Sequence, residues 1–370
     1  VKRHSFPTRR SSDLAKQIQI RGGSPGAGKV LTSDATGLAT WQTPSGGGGS
    51  GSGWNTTGNS GLSNTNFIGN TDAVDLNFKT NNNNGLTLTS GGALLATGST
   101  STGTTPATGA GSRMMWIPAK GAFRAGTVTG THWNDVQLAS YSTAFGYNTI
   151  AGGNYSFAVG NAASATGFTS FAIGDNVSAS ASRSIAMGAN VNAGYQGAFC
   201  FGDMDFSNTL SASTINQMNM RFSGGYRLFT NSSSSIGVQL TSGGNSWATI
   251  SDRRKKENLQ FVDGESFLKK IACMPLSSWN YIGQDKKKFR HYGPMAQDFF
   301  EAFGQDGIGV VGNDTTIAGA DFDGVNLIAI QALEARTTKL QQENDRLHKL
   351  NNELQAAMEA MRKDLNLVLQ

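Results

Sequence analysis

The chain has 370 residues, of which 48 are glycine, 38% are hydrophobic and 15% are charged, and this apolar share is low for a compact enzyme core. Its length allows two or three domains. The formal net charge of +5 is small and comes largely from the first ten residues and a cluster just after position 251. We therefore predict no nucleic-acid partner.

Cysteine and histidine are too few and too scattered to support a metal site or a disulfide framework. Cys200 and Cys273 lie in apolar contexts without a CxxC partner, so we predict two small buried side chains. The four histidines are far apart, and no zinc site and no cofactor are expected. No apolar run reaches the roughly 18 residues of a membrane span, so none is predicted.

The N-terminal part differs from a globular domain. Residues 1–14, VKRHSFPTRRSSDL, do not blend into the neighbouring segment and have no apolar region of a secretion signal. We interpret them as a foreign leader, in which case a native export signal would be missing. Residues 15–130 are predicted to be a fibre segment rich in Gly, Ser, Thr and Asn. Within it, residues 43–112 bury too little apolar area to fold alone, so they are flexible or are ordered by winding against other chains.

One motif in this part imitates a nucleotide site. Residues 23–29, GSPGAGK, fit the GxxxxGK pattern of a phosphate-binding loop. Such a loop needs a strand before it, a helix after it, and Ser or Thr next to the lysine. Here Val30 comes next, and VLTSDATGLATWQ alternates like a strand, a turn and a second strand. Nucleotide binding is therefore the third and weakest hypothesis for the chain.

An internal repeat of 14 residues occupies the middle of the chain. Each repeat has a glycine, preceded by an apolar residue and, one position earlier, by alanine or cysteine; the glycines are Gly146, Gly160, Gly174, Gly188 and Gly202. The glycine would permit either a turn or a close backbone approach. We predict that each repeat forms two short strands and two tight turns, with the large apolar residue stacked on its equivalent one rung away. Residues 131–205 would then be a solenoid with a thin core, which three copies packed around an axis would complete.

The SxAxG units of this repeat begin at Ser142, Ser156, Ser170 and Ser184, and they resemble the head repeats of trimeric autotransporter adhesins. The resemblance implies a left-handed parallel β-roll within a homotrimer. Residues 206–250 are predicted to be a β-rich connector.

The chain ends in a heptad pattern. Leucine, methionine or valine recurs every seven residues from Leu333 to Val368, and a second series of the same period includes Asn344 and Asn351. Together they form an a/d seam, which predicts a coiled coil over residues 326–370. The two asparagines weaken the seam and can fix its register. A long amphipathic helix packed on its own domain is the alternative.

Between the repeats and the coiled coil, the chain changes character at Ser251. The residues after it predict a helix, a strand after Pro275, a second strand, a turn at Gly293 and Pro294, and a second helix. The motifs SDRRKKENL, HYGPMAQDF and DGVNLIAIQAL stand in that order before the coiled coil. They resemble the intramolecular chaperone domain of the peptidase S74 family, which ends many phage tail spikes and fibres and some bacterial surface proteins. GKVLTSDATGLATWQ is likewise similar to tail-fibre-type proteins.

The S74 resemblance implies that residues 251–370 assist trimer assembly of the preceding fibre and then cut themselves off. In that family a Ser/Lys pair makes the cut just before the motif serine. Carried onto this chain, Ser251 is the nucleophile, Lys256 is the base, and the cut falls between Ile250 and Ser251. The family usually has an apolar residue where Lys255 stands, so two lysines compete here, and the spacing of five favours Lys256. The alternative is that residues 252–256 are simply a run of solvated charges without a catalytic role.

We therefore predict a mainly β fold, namely a trimeric β-roll or fibre with 14-residue repeats, followed by a small α+β chaperone domain that ends in a coiled coil. The protein would be extracellular, as a virion tail component or on a bacterial surface, and would bind an unidentified cell-surface receptor or glycan. Its enzymatic activity would be one cut in its own chain. The second hypothesis is a purely structural trimeric fibre whose C-terminal domain trimerises without cutting.

Overall fold

A computed structural model describes residues 20, 22–43, 58–100 and 103–369, so the leader predicted at residues 1–14 lies outside the described part. Over these residues the protein is mainly β, as predicted, with 21 strands and three α-helices, and the longest helix stands last.

The chain divides into two compact units. The first consists of residues 1–161 and 165–169, and the second consists of residues 162–164 and 170–370. All three α-helices belong to the second unit.

The first unit contains a small hairpin near its start. Strand β1 (Val30–Ser33) pairs antiparallel with β2 (Ala39–Gln42). Asp34 holds the turn between them, because its Oδ1 accepts hydrogen bonds from the backbone N–H groups two and four residues later, both at 2.9 Å. The predicted strand, turn and strand are confirmed. A strand follows Lys29 where a phosphate-binding loop would need a helix, so the GxxxxGK match lacks the fold context of such a loop.

A three-stranded meander lies in the segment predicted to lack order of its own. Its strands β3 (Leu76–Thr80), β4 (Asn83–Leu88) and β5 (Leu94–Ala96) pair antiparallel in chain order. The turn between the first two strands places Asn81 and Asn82 at φ +48° and +61°. Asparagine tolerates this left-handed conformation, which two-residue hairpin turns require. The first two asparagines of the NNNN run thus form a hairpin turn, while the meander leaves Phe78 and Leu94 exposed.

The larger sheet of the first unit begins with an antiparallel hairpin and continues with parallel strands. Its strands are β6 (Gly111–Ile117), β7 (Ala122–Val128), β8 (Thr143–Tyr147), β9 (Ile150–Ala151) and β10 (Phe157–Asn161). Short 3-10 turns lie at Pro118–Lys120 and Asp135–Gln137. β8 and β10 pair so that partners are 14 positions apart, with Ala144 opposite Ala158.

Parallel strands also begin the second unit, and the short β11 (Ser164–Ala165) lies at the division in the chain. The strands are β12 (Phe171–Ala179), β13 (Ile185–Asn192), β14 (Phe199–Gly202), β15 (Leu210–Ser211) and β16 (Met218–Arg221). Partners in β12, β13 and β14 are again 14 positions apart, so that Ala186 lies opposite both Ala172 and Cys200.

Small side chains fill the interior of these parallel strands in both units. Among the fully buried residues, alanine, cysteine and serine recur at this spacing within each unit: Ala144, Ala158 and Ser142 in the first, and Ala172, Ala186, Cys200, Ser170 and Ser184 in the second. The large residues before the glycines are only half-buried or, like Phe145, exposed. Each large residue nevertheless lies opposite its equivalent 14 positions away, as the predicted stacking requires: Phe145 opposite Val159, and Ile173 opposite Met187.

Left-handed residues recur along the repeats in two series, each with a spacing of 14, at turns and, for Asn176 and Asn190, within strands. One series is Tyr141, Tyr155, Thr169 and Arg183, and the other is Asn148, Ala162, Asn176 and Asn190, all with φ between +50° and +58°. Tyrosine, threonine and arginine rarely adopt this conformation, so no local signal marks the first series, whereas asparagine at three of its four positions marks the second. Of the two roles predicted for the repeat glycines, a turn or a close backbone approach, the structure supports close approach.

Gly188→Ala should strongly destabilise the second unit. Gly188 has φ +110°, and a Cβ there would overlap the backbone carbonyl oxygen of Gly202 on the next strand. Because strain and overlap add, we expect the free energy of unfolding to fall by about 3 kcal/mol or more in urea titrations. Gly152→Ala is the control, since its Cβ would make only ordinary contacts, the nearest at 3.4 Å to Thr166. Equal midpoints for the two variants would contradict the close-approach role.

Arg124 ends the interior column in the first unit. It lies in β7 opposite Ala144 and is fully buried. Its guanidinium donates to the carbonyl oxygen of Ser142 at 2.7 Å and to that of Ala151 at 3.0 Å. Burial lowers the pKa of Arg124 to about 10. In β7 a charged side chain thus occupies the position that β8 and β10 give to alanine. Terminal elements of stacked folds often differ from the inner repeats in this way.

The rest of the second unit contains an antiparallel sheet and the C-terminal segment. The sheet is formed by β17 (Gly225–Phe229), β18 (Gly237–Thr241) and β19 (Ala248–Thr249). The segment after it contains α1 (Gly264–Cys273), β20 (Ser277–Trp279), β21 (His291–Gly293), α2 (Ala296–Phe303) and α3 (Gly319–Val368). This is the predicted order of helix, strand, strand, helix and final helix.

Aromatic contacts join the helices of this segment. The rings of Phe267 in α1 and Phe303 in α2 lie 5.0 Å apart, and those of Phe299 in α2 and Phe322 in α3 lie 5.8 Å apart. An ion pair also joins Glu265 to Arg336. Cys273, at the end of α1, is exposed, which corrects the prediction that both cysteines are buried.

The final helix changes its surroundings along its length. Ala329 and Ala332 are buried, so its first turns pack on their own domain, as the alternative to the coiled coil predicts. Farther on, Leu340 is 65% exposed and Leu347 is 49% exposed. No helix in the described ranges combines the length and apolar character needed to cross a lipid bilayer.

Candidate active site

The residue before the candidate nucleophile is fixed by the antiparallel sheet. In β19, Thr249 pairs with Val238 of β18. The backbone N–H of Ile250 then donates to the carbonyl oxygen of Gly237 at 3.1 Å, which extends the ladder by one residue. Ser251 is thus the first residue beyond the sheet, and its side chain is exposed.

A short 3-10 turn, Arg253–Lys255, reverses the chain directly after Ser251. The backbone N–H of Lys255 donates to the carbonyl oxygen of Asp252 at 3.0 Å, and that of Lys256 donates to Arg253 at 3.2 Å. Asp252 caps the turn, because its Oδ1 accepts from the backbone N–H of Arg254 at 3.0 Å. This is the usual arrangement of an N-cap aspartate.

The turn brings Lys256 back onto Ser251. The Nζ of Lys256 donates to the Oγ of Ser251 at 2.7 Å, a direct hydrogen bond between the two residues that sequence reasoning selected. Lys255, the competing lysine, has no such bond to Ser251 in the described part of the chain. The distance lies within the range that a nucleophile and its base require.

Charge around the pair is organised by Asp252. Its Oδ2 forms an ion pair with the Nη2 of Arg254 at 2.8 Å. Hydrogen bonds from the Arg254 side chain, then from its backbone, together with the charge of Lys255, hold the pKa of Asp252 below its ordinary value. Asp252 is therefore a carboxylate at neutral pH, and sequence reasoning missed its role. The available signal was an aspartate at the start of a short turn.

Within the described ranges, no group of three or more His, Cys, Asp or Glu side chains comes together in a way that could hold a metal ion.

Comparison with known proteins identifies the segment that carries the pair. Residues 251–308 match the family model Peptidase_S74, described as chaperone of endosialidase. The match begins at Ser251, includes Lys256 and extends just beyond α2. The resemblance to the S74 family is thus confirmed for this segment, and the C-terminal part carries a chaperone-type domain. No curated protein and no solved structure was found to match the chain.

Proposed function

We propose that this protein is a homotrimeric fibre of the tail-fibre or surface-adhesin type, whose C-terminal domain templates assembly and then releases itself. The cut falls between Ile250 and Ser251. The observation that carries the proposal is the 2.7 Å hydrogen bond between Lys256 Nζ and Ser251 Oγ, at the first residue of a chaperone-type match.

The proposed reaction begins with the hydroxyl of Ser251, which adds to the carbonyl carbon of Ile250 directly before it. Lys256 in its neutral form takes the hydroxyl proton and passes it to the Ser251 nitrogen as the C–N bond breaks. This step leaves an ester between the Ile250 carbonyl and the Ser251 oxygen, with a free amine on Ser251. Water then hydrolyses the ester, which leaves a carboxylate on Ile250 and restores the hydroxyl.

The sheet and the turn favour this reaction because each holds one side of the bond. Ile250 is tied to Gly237 by its backbone N–H, and the 3-10 turn holds Lys256 against the hydroxyl. A nucleophile fixed beside its target reacts much faster than one that must find it by diffusion. Both reacting groups belong to one chain, so each chain is cut once.

Trimer assembly is supported by the apolar surface that a single chain leaves uncovered. Phe145, Phe171 and Phe199 are 37–38% exposed on the parallel strands, whose interior holds mostly small side chains. The seam of α3 is also exposed at Leu354 and Met361. Three chains packed around one axis would cover both surfaces, and the coiled coil would set the register of the repeats. We also propose that the 14-residue repeats form a β-roll, in which each repeat is one rung.

The place of action follows from the fibre proposal. An assembled trimer would act outside the cell, on a virion or on a bacterial surface, and its receptor would be a cell-surface protein or glycan. The S74 match supports this location because domains of that family stand at the C-terminus of phage tail fibres and bacterial surface proteins.

One observation favours the non-cutting alternative. Ser251 and Lys256 are both exposed in the single chain, whereas burial favours the neutral amine that a lysine base needs. If trimerisation leaves this pair exposed, Lys256 stays a poor base. The domain would then template the fibre and remain attached to it uncut.

Denaturing gels of the purified full chain decide between the two. Cutting would give one fragment of about 250 residues and one of about 120 residues that begins at Ser251, by the numbering of the sequence. N-terminal sequencing identifies the new end. Hydroxylamine added during cutting should convert the Ile250 ester to a hydroxamate, which mass spectrometry detects. A chain that assembles but stays full-length would support the structural fibre instead.

A further inference from the structure

We infer that Asp252 is a positioning residue, whose side chain holds the Ser251–Lys256 pair together through the 3-10 turn. The inference rests on the proposed self-cleavage for its functional meaning. It concerns a residue between the two reacting groups that takes no part in the proton transfer.

The contacts of Asp252 all lead into the turn. Its carboxylate accepts from the backbone N–H of Arg254 at 3.0 Å, from Arg254 Nε at 3.1 Å and from Arg254 Nη2 at 2.8 Å. In the described part of the chain it has no hydrogen bond to the side chain of Ser251 or Lys256. Asp252 therefore acts on the pair only by fixing the backbone between them.

The turn needs this support because little else holds it. It is a single 3-10 turn of three residues, none of which is buried. An isolated turn of this length is not stable by itself in water. Loss of the cap would let the backbone open, and Lys256 would then spend less time beside Ser251.

Capping and charge can be separated by two substitutions. Asp252→Asn keeps an oxygen that accepts from the Arg254 backbone and removes the charge, and asparagine caps as well as aspartate. Asp252→Glu keeps the charge but lengthens the side chain, and glutamate is not a preferred N-cap residue. We expect Asp252→Asn to cut within about twofold of the native rate, and Asp252→Glu and Asp252→Ala to cut about five- to tenfold more slowly.

A second readout reports the distance between the two side chains without requiring cleavage. In a full chain carrying Ser251→Cys and Cys273→Ser, ortho-phthalaldehyde joins an adjacent thiol and primary amine into a fluorescent isoindole. The adduct should form readily with Asp252 or with Asp252→Asn, and about five- to tenfold more slowly with Asp252→Glu or Asp252→Ala. Lys256→Arg in the same chain is the control, because it removes the primary amine at this position, and peptide mapping locates the adduct.

The two readouts separate the failure of this inference from the failure of the proposed function. A native chain that is never cut would overturn self-cleavage, yet slower adduct formation in Asp252→Glu would still support the positioning role. Equal adduct rates in all variants would overturn the positioning role whether or not the chain is cut. Slower adduct formation in Asp252→Asn as well would overturn the cap as the cause, because the ion pair with Arg254 would then hold the turn.

Discussion

Replacing Ser251 by alanine is expected to leave an uncut chain that still assembles. The change removes one exposed oxygen and almost no packing, so the fold and the trimer should be unaffected. The hydrogen bond from Lys256 disappears together with the nucleophile, and without the nucleophile no ester can form. Loss of a serine nucleophile reduces peptidase rates by a factor on the order of 10⁴ or more. Denaturing gels measure the cut, and light scattering measures the trimer.

The two lysines are the matched control for this experiment. Lys256→Ala should also block cutting, because its Nζ is the group that contacts the hydroxyl. Lys255→Ala should cut at nearly the native rate, since Lys255 only adds positive charge near Asp252. If Lys255→Ala blocked cutting and Lys256→Ala did not, the base would be misassigned. A cut Ser251→Ala chain with an unchanged new end would refute the nucleophile.

Local sequence patterns predicted the C-terminal segment well. The helix before Pro275, the strand that ends at Gly293 and the helix from Ala296 each follow from periodicity and breaker residues. The S74 resemblance indicated Ser251 and Lys256, and the structure places these two side chains in contact. These features are local, so one sequence is enough to predict them.

Features that depend on neighbouring strands were harder to predict. The left-handed turns at Tyr155 and Arg183 are imposed by stacking on the adjacent rung, and neither residue type signals them. Burial of Arg124 depends on carbonyl groups brought from Ser142 and Ala151, which no local pattern reveals. The cap by Asp252 was local but was hidden inside a run of charges.

Deleting residues 251–370 from the gene should give aggregated or unfolded protein. The parallel strands join residues 14 positions apart, and small side chains dominate their interior, so we expect a single chain to gain little from folding alone. In the proposed trimer three chains must meet in one register, and such non-local β-structure nucleates slowly. A trimeric C-terminal domain would raise the effective concentration of the strands and set their register.

Residues 1–250 that are released by cutting after assembly should behave differently from residues 1–250 that are made from a truncated gene. A chain cut between Ile250 and Ser251 once the trimer has formed should remain a soluble trimer that resists heat and detergent. The two samples have nearly the same sequence and differ in history, so a difference between them must be kinetic. Size-exclusion chromatography with light scattering compares them directly. If the gene-truncated chain forms the same heat-resistant trimer unaided, residues 251–370 are not a chaperone, because the strands then find their register from their own contacts.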